Sequence, residues 1–229
     1  IKFIYKVIFF SYIMHKTVEN LINIEKTIKS SLINAKLPKI IAVSKTFDIA
    51  KIIPLIEHGH LHFGENKVQE AIDKWTIIKQ KNSEIKLHMI GKLQTNKVKF
   101  AVKLFDYIHS VDSEKLAKKI SEEQKKINRK IKIFIQVNIG DENQKSGINK
   151  NQLSDLINFS KKIGLDVVGL MCIPPFDKDP KIYFQEMLKL KESNNFNDLS
   201  MGMSSDYLEA FKHNSTFLRI GSSIFGERS

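Results

Sequence analysis

The chain has 229 residues, which is enough for one large domain or two small ones with a substantial hydrophobic core. Hydrophobic residues make up 42% and charged residues 27%, ordinary globular proportions that exclude a wholly disordered chain. The single cysteine, Cys172, excludes an internal disulfide framework and a cysteine-based zinc site, and it predicts a cytoplasmic protein.

The formal net charge of +12 comes from 37 basic and 25 acidic residues. Only Arg129, Arg219 and Arg228 are arginines, whereas proteins that read nucleic acid usually use Arg for its bidentate fork. We therefore expect the lysines to lie on solvated helix faces, and we expect no nucleic-acid partner. An arginine inside an apolar segment is, by contrast, expected to have a specific role.

Residues 1–13 (IKFIYKVIFFSYI) form an apolar N-terminal stretch. The stretch is too short to span a bilayer, and no small-residue cleavage site follows it, so we expect no membrane association. We interpret residues 1–13 as an upstream or non-native extension that precedes a natural start at Met14. Residues 14–229 are then expected to form a single functional domain.

Short apolar runs alternate with helical patterns along the rest of the chain, beginning with a helix over Thr17–Ala35. The predicted strands are Lys39–Lys45, Leu61–Gly64, Leu87–Gly91, Tyr107–Val111, Ile131–Asn138, Asp166–Cys172, Leu199–Met203 and Phe217–Gly221. Helical spacing is clearest over Lys67–Lys79, Ser113–Asn128, Asn151–Ile163 and Lys181–Glu192. Eight such units predict a (β/α)₈ barrel; a doubly wound sheet is the alternative, but no GxGxxG turn follows the first strand.

Polar residues at the carboxyl ends of barrel strands are the first candidates for chemistry. Lys45 ends the first predicted strand, where a buried amine would favour Schiff-base chemistry, although a solvated lysine just past the strand is the alternative. Asn66, after the second strand, offers a donor and an acceptor but is equally a turn residue. Gly91, after the third strand, would let the backbone approach a ligand or simply form a turn.

The turns after the last two predicted strands are rich in Gly and Ser, including Ser204, Gly221 and Ser222. Backbone N–H groups and hydroxyls at this place in a barrel suit a phosphate. Helix capping by Ser204 or Ser205 would explain one of these turns but not both. The sequence therefore favours a phosphate site.

Arg219 lies within the apolar run FLRI and either forms a structural ion pair or points into the barrel mouth at a ligand acceptor. An amine, a phosphate site and a directed arginine together describe a pocket for pyridoxal 5′-phosphate. His58, His60 and His62 alternate in the chain, but without clustered carboxylates or cysteines they are not expected to bind a metal.

Several motifs, taken in order, resemble the YggS/PROSC family of pyridoxal phosphate homeostasis proteins. They are IAVSKT (Ile41–Thr46), HFGENKVQE (His62–Glu70), HMIGKLQTNK (His88–Lys97), IHSVDS (Ile108–Ser113), QVNIGDENQKSGI (Gln136–Ile148), GLMCIPP (Gly169–Pro175), LSMGMSSD (Leu199–Asp206) and RIGSSIFGER (Arg219–Arg228). The resemblance covers the chain from about Val18 to Arg228.

The resemblance implies a fold-type III barrel like the N-terminal domain of alanine racemase. By the same similarity Lys45 would bind the cofactor as a Schiff base and Arg219 would face its pyridine nitrogen. The other implied cofactor-binding residues are Asn66, Ser204, Gly221 and Ser222. Lys92 and Ser222 depart from residues frequent in the family, but Ser222 keeps a hydroxyl for the phosphate.

The function implied is a cytoplasmic, monomeric protein that holds pyridoxal 5′-phosphate and buffers it or delivers it to apo-enzymes, with no catalytic residues. A racemase-like enzyme dependent on the same cofactor is the alternative. An arginine opposite the pyridine nitrogen would leave that nitrogen unprotonated and weaken carbanion chemistry. The chain also ends soon after the eighth strand, so we expect no β-rich second domain and no robust racemisation.

Overall fold

The computed structural model describes residues 14–31, 37–142 and 146–227. The N-terminal extension predicted over residues 1–13 and the end of the first predicted helix, residues 32–35, lie outside the described part. The strands are β1 Lys39–Val43, β2 His62–Glu65, β3 Lys86–Met89, β4 Tyr107–Val111, β5 Lys132–Val137, β6 Asp166–Cys172, β7 Asp198–Ser200 and β8 Phe217–Ile220.

Helices follow the strands in regular alternation through the described residues. They are α1 Lys16–Ser30, α2 Ile49–Glu57, α3 Val68–Lys81, α4 Val98–Leu104, α5 Glu114–Lys126, α6 Leu153–Lys162, α7 Pro180–Ser193, α8 Tyr207–Lys212 and α9 Ser222–Phe225. Short 3-10 turns at Thr95–Lys97 and Lys150–Gln152 precede α4 and α6. None of the helices within the described ranges is both long enough and apolar enough to cross a membrane.

The eight strands form a closed parallel barrel in the order β1 to β8. The barrel closes where β8 pairs with β1, which places Arg219 opposite Ile41. This closure confirms the predicted (β/α)₈ barrel and excludes the doubly wound sheet. Because all the strands run parallel, the loops that follow them meet at one end of the barrel.

Strands β1, β3 and β7 end two or three residues earlier than the sequence pattern predicts, and a left-handed residue follows β1 and β7. Strand β1 ends at Val43, and Thr46 adopts a left-handed φ of 66°. Strand β7 ends at Ser200, and Gly202 follows with a φ of 90°. A Cβ at Gly202 would lie 2.5 Å from the Cβ of Ala210, so this turn requires glycine. The early end of β1 moves Lys45 from the predicted strand into a loop.

The hydrophobic core has two layers, one between the barrel and its helices and one inside the barrel. The amphipathic helices bury one face each on the outer layer, for example Leu21 of α1 and Trp75 of α3, both of which are fully enclosed. The inner layer contains Ile41, Tyr107, Phe134, Met171 and Phe217. Inward-facing side chains from different strands fill the barrel, as expected for this architecture.

Histidines share the barrel interior with these apolar side chains. His88 and His109 are fully buried, and their rings stack on Tyr107 and Phe134 with centroid separations of 4.3 Å each. Burial lowers the pKa of both imidazoles well below its usual value, and the charge of neighbouring groups lowers it further. At the N-terminal end of the barrel, burial lowers the pKa of His62 to about 4.

Because these histidines are buried, we expect the free energy of unfolding to fall as the pH is lowered from 7 to 5. The unfolded chain takes up protons near the ordinary histidine pKa of about 6.5, whereas folded His62 does not until about pH 4. The contribution of His62 to the free energy of unfolding is therefore fully present above pH 6.5 and is lost as the pH falls. The loss reaches about 2 kcal/mol at pH 5. Urea unfolding at pH 7, 6 and 5 measures the change.

His62→Asn should make the free energy of unfolding less dependent on pH within that range. The matched substitution His58→Gln, on an exposed histidine, should retain the pH dependence of the unaltered protein. An unaltered protein whose free energy of unfolding is the same at pH 7 and pH 5 would contradict the prediction.

Candidate cofactor site

A cavity of about 620 Å³ opens at the carboxyl ends of the barrel strands. Its size and its mixed polar and apolar lining are typical of small-molecule sites. The structure brings all six residues predicted from the sequence into the wall of this cavity, namely Lys45, Asn66, Ser204, Arg219, Gly221 and Ser222. Apolar side chains from Val43, Phe47, Ile90 and Ile173 complete much of the lining.

Lys45 lies two residues beyond β1 and is half-buried in the cavity wall. Two contacts fix the turn that carries Lys45. The N–H of Thr46 donates to Glu70 Oε1 of α3, and the ring of Phe47 stacks on Phe225 with centroids 4.9 Å apart. The position of Lys45 is therefore set by a fixed turn rather than by the strand itself.

The buried carboxylate of Glu65 fixes the residue that follows β1, Ser44. Oε1 of Glu65, a fully buried side chain, accepts hydrogen bonds from Ser44 Oγ at 2.7 Å, Trp75 Nε1 at 2.9 Å and Lys74 Nζ at 3.1 Å. Lys74 also donates to the carbonyl of Ser44 at 2.9 Å and pairs with Glu70 at 3.1 Å. The network is therefore held through one carboxylate oxygen, by charge-assisted bonds that are stronger than neutral ones. The other oxygen, Glu65 Oε2, is buried without a hydrogen-bond partner among the described residues.

The sequence analysis did not identify this network as part of the site. Burial alone would raise the pKa of Glu70, but the Thr46 N–H and Lys74 lower it below its ordinary value, so the carboxylate stays charged. The four-residue spacing of Glu70 and Lys74 on a helix was the available signal for their pairing. No such spacing points to Glu65, which accepts the hydrogen bonds at the centre of the network and lies in β2, the strand next to β1.

Asn66 follows β2 and sits against the loop after β3. A Cβ on Gly91 would lie 2.5 Å from the backbone oxygen of Asn66, so only glycine permits this approach. The structure gives Gly91 a packing role at the turn, one of the two explanations that the sequence left open. Gly91 serves the site indirectly because it lets the Asn66 loop close onto the barrel.

The hydroxyl of Ser204 joins the last two strand–helix turns. Its Oγ accepts from the backbone N–H groups of Gly221 at 3.2 Å and Ser223 at 3.3 Å, both from the turn after β8. Capping of its own following helix is not its role, because Asp206 is the N-cap residue of α8. Hydroxyls and N–H groups from two loops therefore converge at one side of the cavity, an arrangement suited to an anion.

Arg219 lies deeper in the barrel than these serines because it is still within β8, opposite Ile41. The residue is only 4% exposed. Its guanidinium donates to Ser200 Oγ at 2.8 Å and to the carbonyl of Cys172 at 2.9 Å. Both acceptors are neutral, and no carboxylate forms an ion pair with Arg219 among the residues that the structure describes.

The geometry thus favours the ligand-directed interpretation of Arg219 over a structural ion pair. Burial lowers the pKa of the guanidinium from its ordinary value, the expected consequence of removing a cation from water. The charge of Asp206 acts on Arg219 only as a smaller, opposing influence on that pKa. A buried cation with no hydrogen-bonded carboxylate attracts a hydrogen-bond acceptor or an anion. The remaining guanidinium N–H groups are available for such a ligand.

Two other candidates from the sequence have structural explanations. Cys172 is fully buried in the outer core, and burial raises the pKa of its thiol to about 12, so it is a poor nucleophile. Within the described ranges, no group of three or more potential ligands is placed to hold a metal ion. The alternating histidines contribute hydrogen bonds instead, such as that from His60 Nε2 to the carbonyl of His62 at 2.9 Å.

Taken together, the cavity has three functional parts arranged by depth. The serine-rich turns lie at the rim, Lys45 borders the cavity beside β1, and Arg219 lies at the base. Such an arrangement can hold a phosphate, place an amine near a carbonyl carbon and donate a hydrogen bond to a ring acceptor. A planar phosphorylated aldehyde with a ring nitrogen matches all three parts.

The sequence matches the family described as alanine racemase, N-terminal domain, over residues 20–229. The pyridoxal phosphate homeostasis protein of Pasteurella multocida (strain Pm70) is 34% identical over 225 residues, which cover 92% of this chain and 97% of that protein. The human protein of the same name is 37% identical, over 83% of this chain and 77% of its own length.

Among solved structures, PipY of Synechococcus elongatus PCC7942 has a similar barrel. Without pyridoxal phosphate it superposes with a TM-score of 0.82 at 32% identity, covering 92% of this chain and all of PipY. Its structure with pyridoxal phosphate bound gives a TM-score of 0.81 at 31% identity and the same coverage. The family match, the identities over most of both chains and the shared barrel agree with one another, and this chain belongs to the family of pyridoxal phosphate homeostasis proteins.

Proposed function

We propose that this protein binds pyridoxal 5′-phosphate in the cavity at the carboxyl end of its barrel and acts in homeostasis of that cofactor. The observation that carries the proposal is that Lys45, the serine-rich turns and Arg219 line one cavity. The solved structure of PipY with pyridoxal phosphate bound supports the choice of ligand. The names of the curated relatives support the role in homeostasis.

Each part of the cavity has a separate task in binding. The hydroxyls of Ser204 and Ser222 hold the phosphate, and the backbone N–H of Gly221 orients the Ser204 hydroxyl by donating to its Oγ. The buried network below β1 keeps the Lys45 amine in place. Asn66 contributes an amide that can donate and accept at the cavity wall. When bound, pyridoxal phosphate would supply an electrophilic aldehyde carbon and an electron-withdrawing ring. Lys45 is the residue whose amine would hold it as a Schiff base, with the aldehyde oxygen leaving as water.

Arg219 determines what the bound cofactor is used for. A ring nitrogen placed at Arg219 would accept a hydrogen bond from the guanidinium. Because Arg has no hydrogen-bond acceptor, that nitrogen would stay unprotonated. A neutral ring withdraws electrons weakly and gives little help to carbanion chemistry. The pocket therefore suits holding the cofactor rather than turning over a substrate, and we assign no catalytic residue.

Reversible attachment to Lys45 makes the protein a store from which the cofactor can be released or passed on. We extend the proposal to a monomer in the cytoplasm that supplies apo-enzymes requiring pyridoxal phosphate. Transfer to an apo-enzyme at a rate faster than release into buffer would favour delivery. Equal rates would favour buffering.

Lys45→Ala should abolish covalent attachment of the cofactor because it removes the amine that attacks the carbonyl. The unaltered protein incubated with pyridoxal phosphate and desalted should keep a visible absorbance band that borohydride removes. Lys92→Ala, which changes an exposed lysine after β3, is the matched control and should keep that band. A Lys45→Ala spectrum identical to that of the unaltered protein would overturn the role of Lys45.

Ser204→Ala should weaken binding of pyridoxal phosphate by about tenfold, equivalent to about 1.4 kcal/mol, because it removes a hydroxyl from the anion end. Binding of pyridoxal, which lacks the phosphate, should change little. Fluorescence titration of both ligands on both proteins gives the comparison. An equal loss of affinity for the two ligands would place Ser204 away from the phosphate.

A further inference from the structure

A continuous line of hydrogen bonds runs through the barrel interior and ends at Arg219. We call His62, His88 and His109 the histidine column. His62 Nδ1 lies 2.9 Å from His88 Nε2, and His88 Nδ1 lies 2.9 Å from His109 Nε2. His109 Nδ1 lies 2.8 Å from Ser200 Oγ, the same atom that accepts from Arg219. Five strands contribute one residue each to this line.

The bond from Arg219 sets the direction of every other bond in the line. Arg219 can only donate, so Ser200 Oγ is its acceptor, and the hydroxyl hydrogen of Ser200 is left to point at His109 Nδ1. With Nδ1 occupied as an acceptor, neutral His109 carries its hydrogen on Nε2 and donates to His88. The same reasoning makes His88 donate from Nε2 to His62.

The column is neutral as well as directional. Burial, followed by the charge of Arg219, lowers the pKa of His109, and burial followed by the neighbouring histidines lowers that of His88. A protonated His109 would donate from both ring nitrogens and would leave the Ser200 hydrogen without its acceptor. Hydrogen bonding and electrostatics therefore both favour three imidazoles in the same Nε2–H form.

Aligned hydrogen-bonding groups add their dipoles. Here Ser200 and each imidazole turn their acceptor atom toward Arg219 and their donated hydrogen away from it. The line consequently presents the negative ends of its dipoles to the buried guanidinium, which has no carboxylate partner among the described residues. A carboxylate in this position would neutralise the cation and compete for its N–H groups. Neutral dipoles stabilise the charge and leave it available to a ligand.

We propose that Ser200 and the histidine column are positioning residues for Arg219, replacing a carboxylate counter-charge with an aligned line of neutral hydrogen bonds. The part of the inference that concerns the cofactor rests on the proposed function. Ser200 and His109 fix the guanidinium from below. His88 and His62 continue the line of hydrogen bonds to the N-terminal end of the barrel, where His62 is partly exposed.

Nitrogen-15 NMR of the histidine rings in protein free of cofactor tests the column directly. We expect His62, His88 and His109 all to be neutral Nε2–H tautomers at pH 7, with signals assigned from single-histidine variants. An Nδ1–H tautomer or a charged ring at His109 would overturn the proposal. This measurement needs no ligand and no altered residue at Ser200.

Ser200→Ala then tests the link to Arg219. We expect mixed tautomers at His109 and about tenfold weaker binding of pyridoxal phosphate. Binding of the 1-deaza analogue, whose ring has no nitrogen acceptor, should change little. The matched control Ser110→Ala removes another buried serine hydroxyl, one that has no hydrogen-bond partner within the described ranges, and should leave the tautomers and both affinities unchanged.

The two ligands separate a positioning role from a structural one. Equal losses of affinity for pyridoxal phosphate and its deaza analogue, or no loss for either, would overturn the role of Ser200. An unaltered protein that binds neither ligand would overturn the proposed function instead, while the tautomers measured without ligand still decide whether the column is aligned.

Discussion

The organisation of this protein depends on one buried cation, the guanidinium of Arg219, which is held by neutral acceptors. Ser200 Oγ and the carbonyl of Cys172 fix its orientation without cancelling its charge. A buried charge of this kind is costly unless it is hydrogen bonded, and most proteins use a carboxylate for the purpose. Neutral acceptors leave the charge available to a ligand. Because these acceptors belong to the barrel interior, the interior determines how the cavity can bind a ligand.

The barrel assembles the other parts of the cavity around that cation. Closure of β8 onto β1 brings the serine-rich turn at Gly221 beside the loop that carries Lys45, although the two are far apart in the chain. The Glu65–Lys74 network then fixes the Lys45 loop from the opposite side. The serine-rich turns, the Lys45 loop and Arg219 are thus held by separate sets of contacts. This arrangement suits the proposed binding of a phosphate, a carbonyl carbon and a ring nitrogen in one cavity.

The sequence predicted the barrel and the cavity residues because both have local signals. Strand–helix alternation repeats eight times, and Lys45 and Arg219 stand out as basic residues at or within apolar strands. The supporting residues had no such signal. Strands buried on both faces do not show which side chains point inward, so His88 and His109 were not recognisable as neighbours. Their hydrogen bond, like the contacts of Glu65, depends on strand register, which only the folded barrel supplies.

We propose that Arg219 keeps the cofactor ring neutral, so that the protein holds pyridoxal phosphate without substantial chemistry at an amino acid's α-carbon. Proton NMR of amino acids incubated in deuterated water with the loaded protein measures that chemistry directly. We expect α-proton exchange no faster than with the same concentration of free pyridoxal phosphate. Exchange many times faster than with free cofactor would contradict it and would instead indicate a racemase-like enzyme.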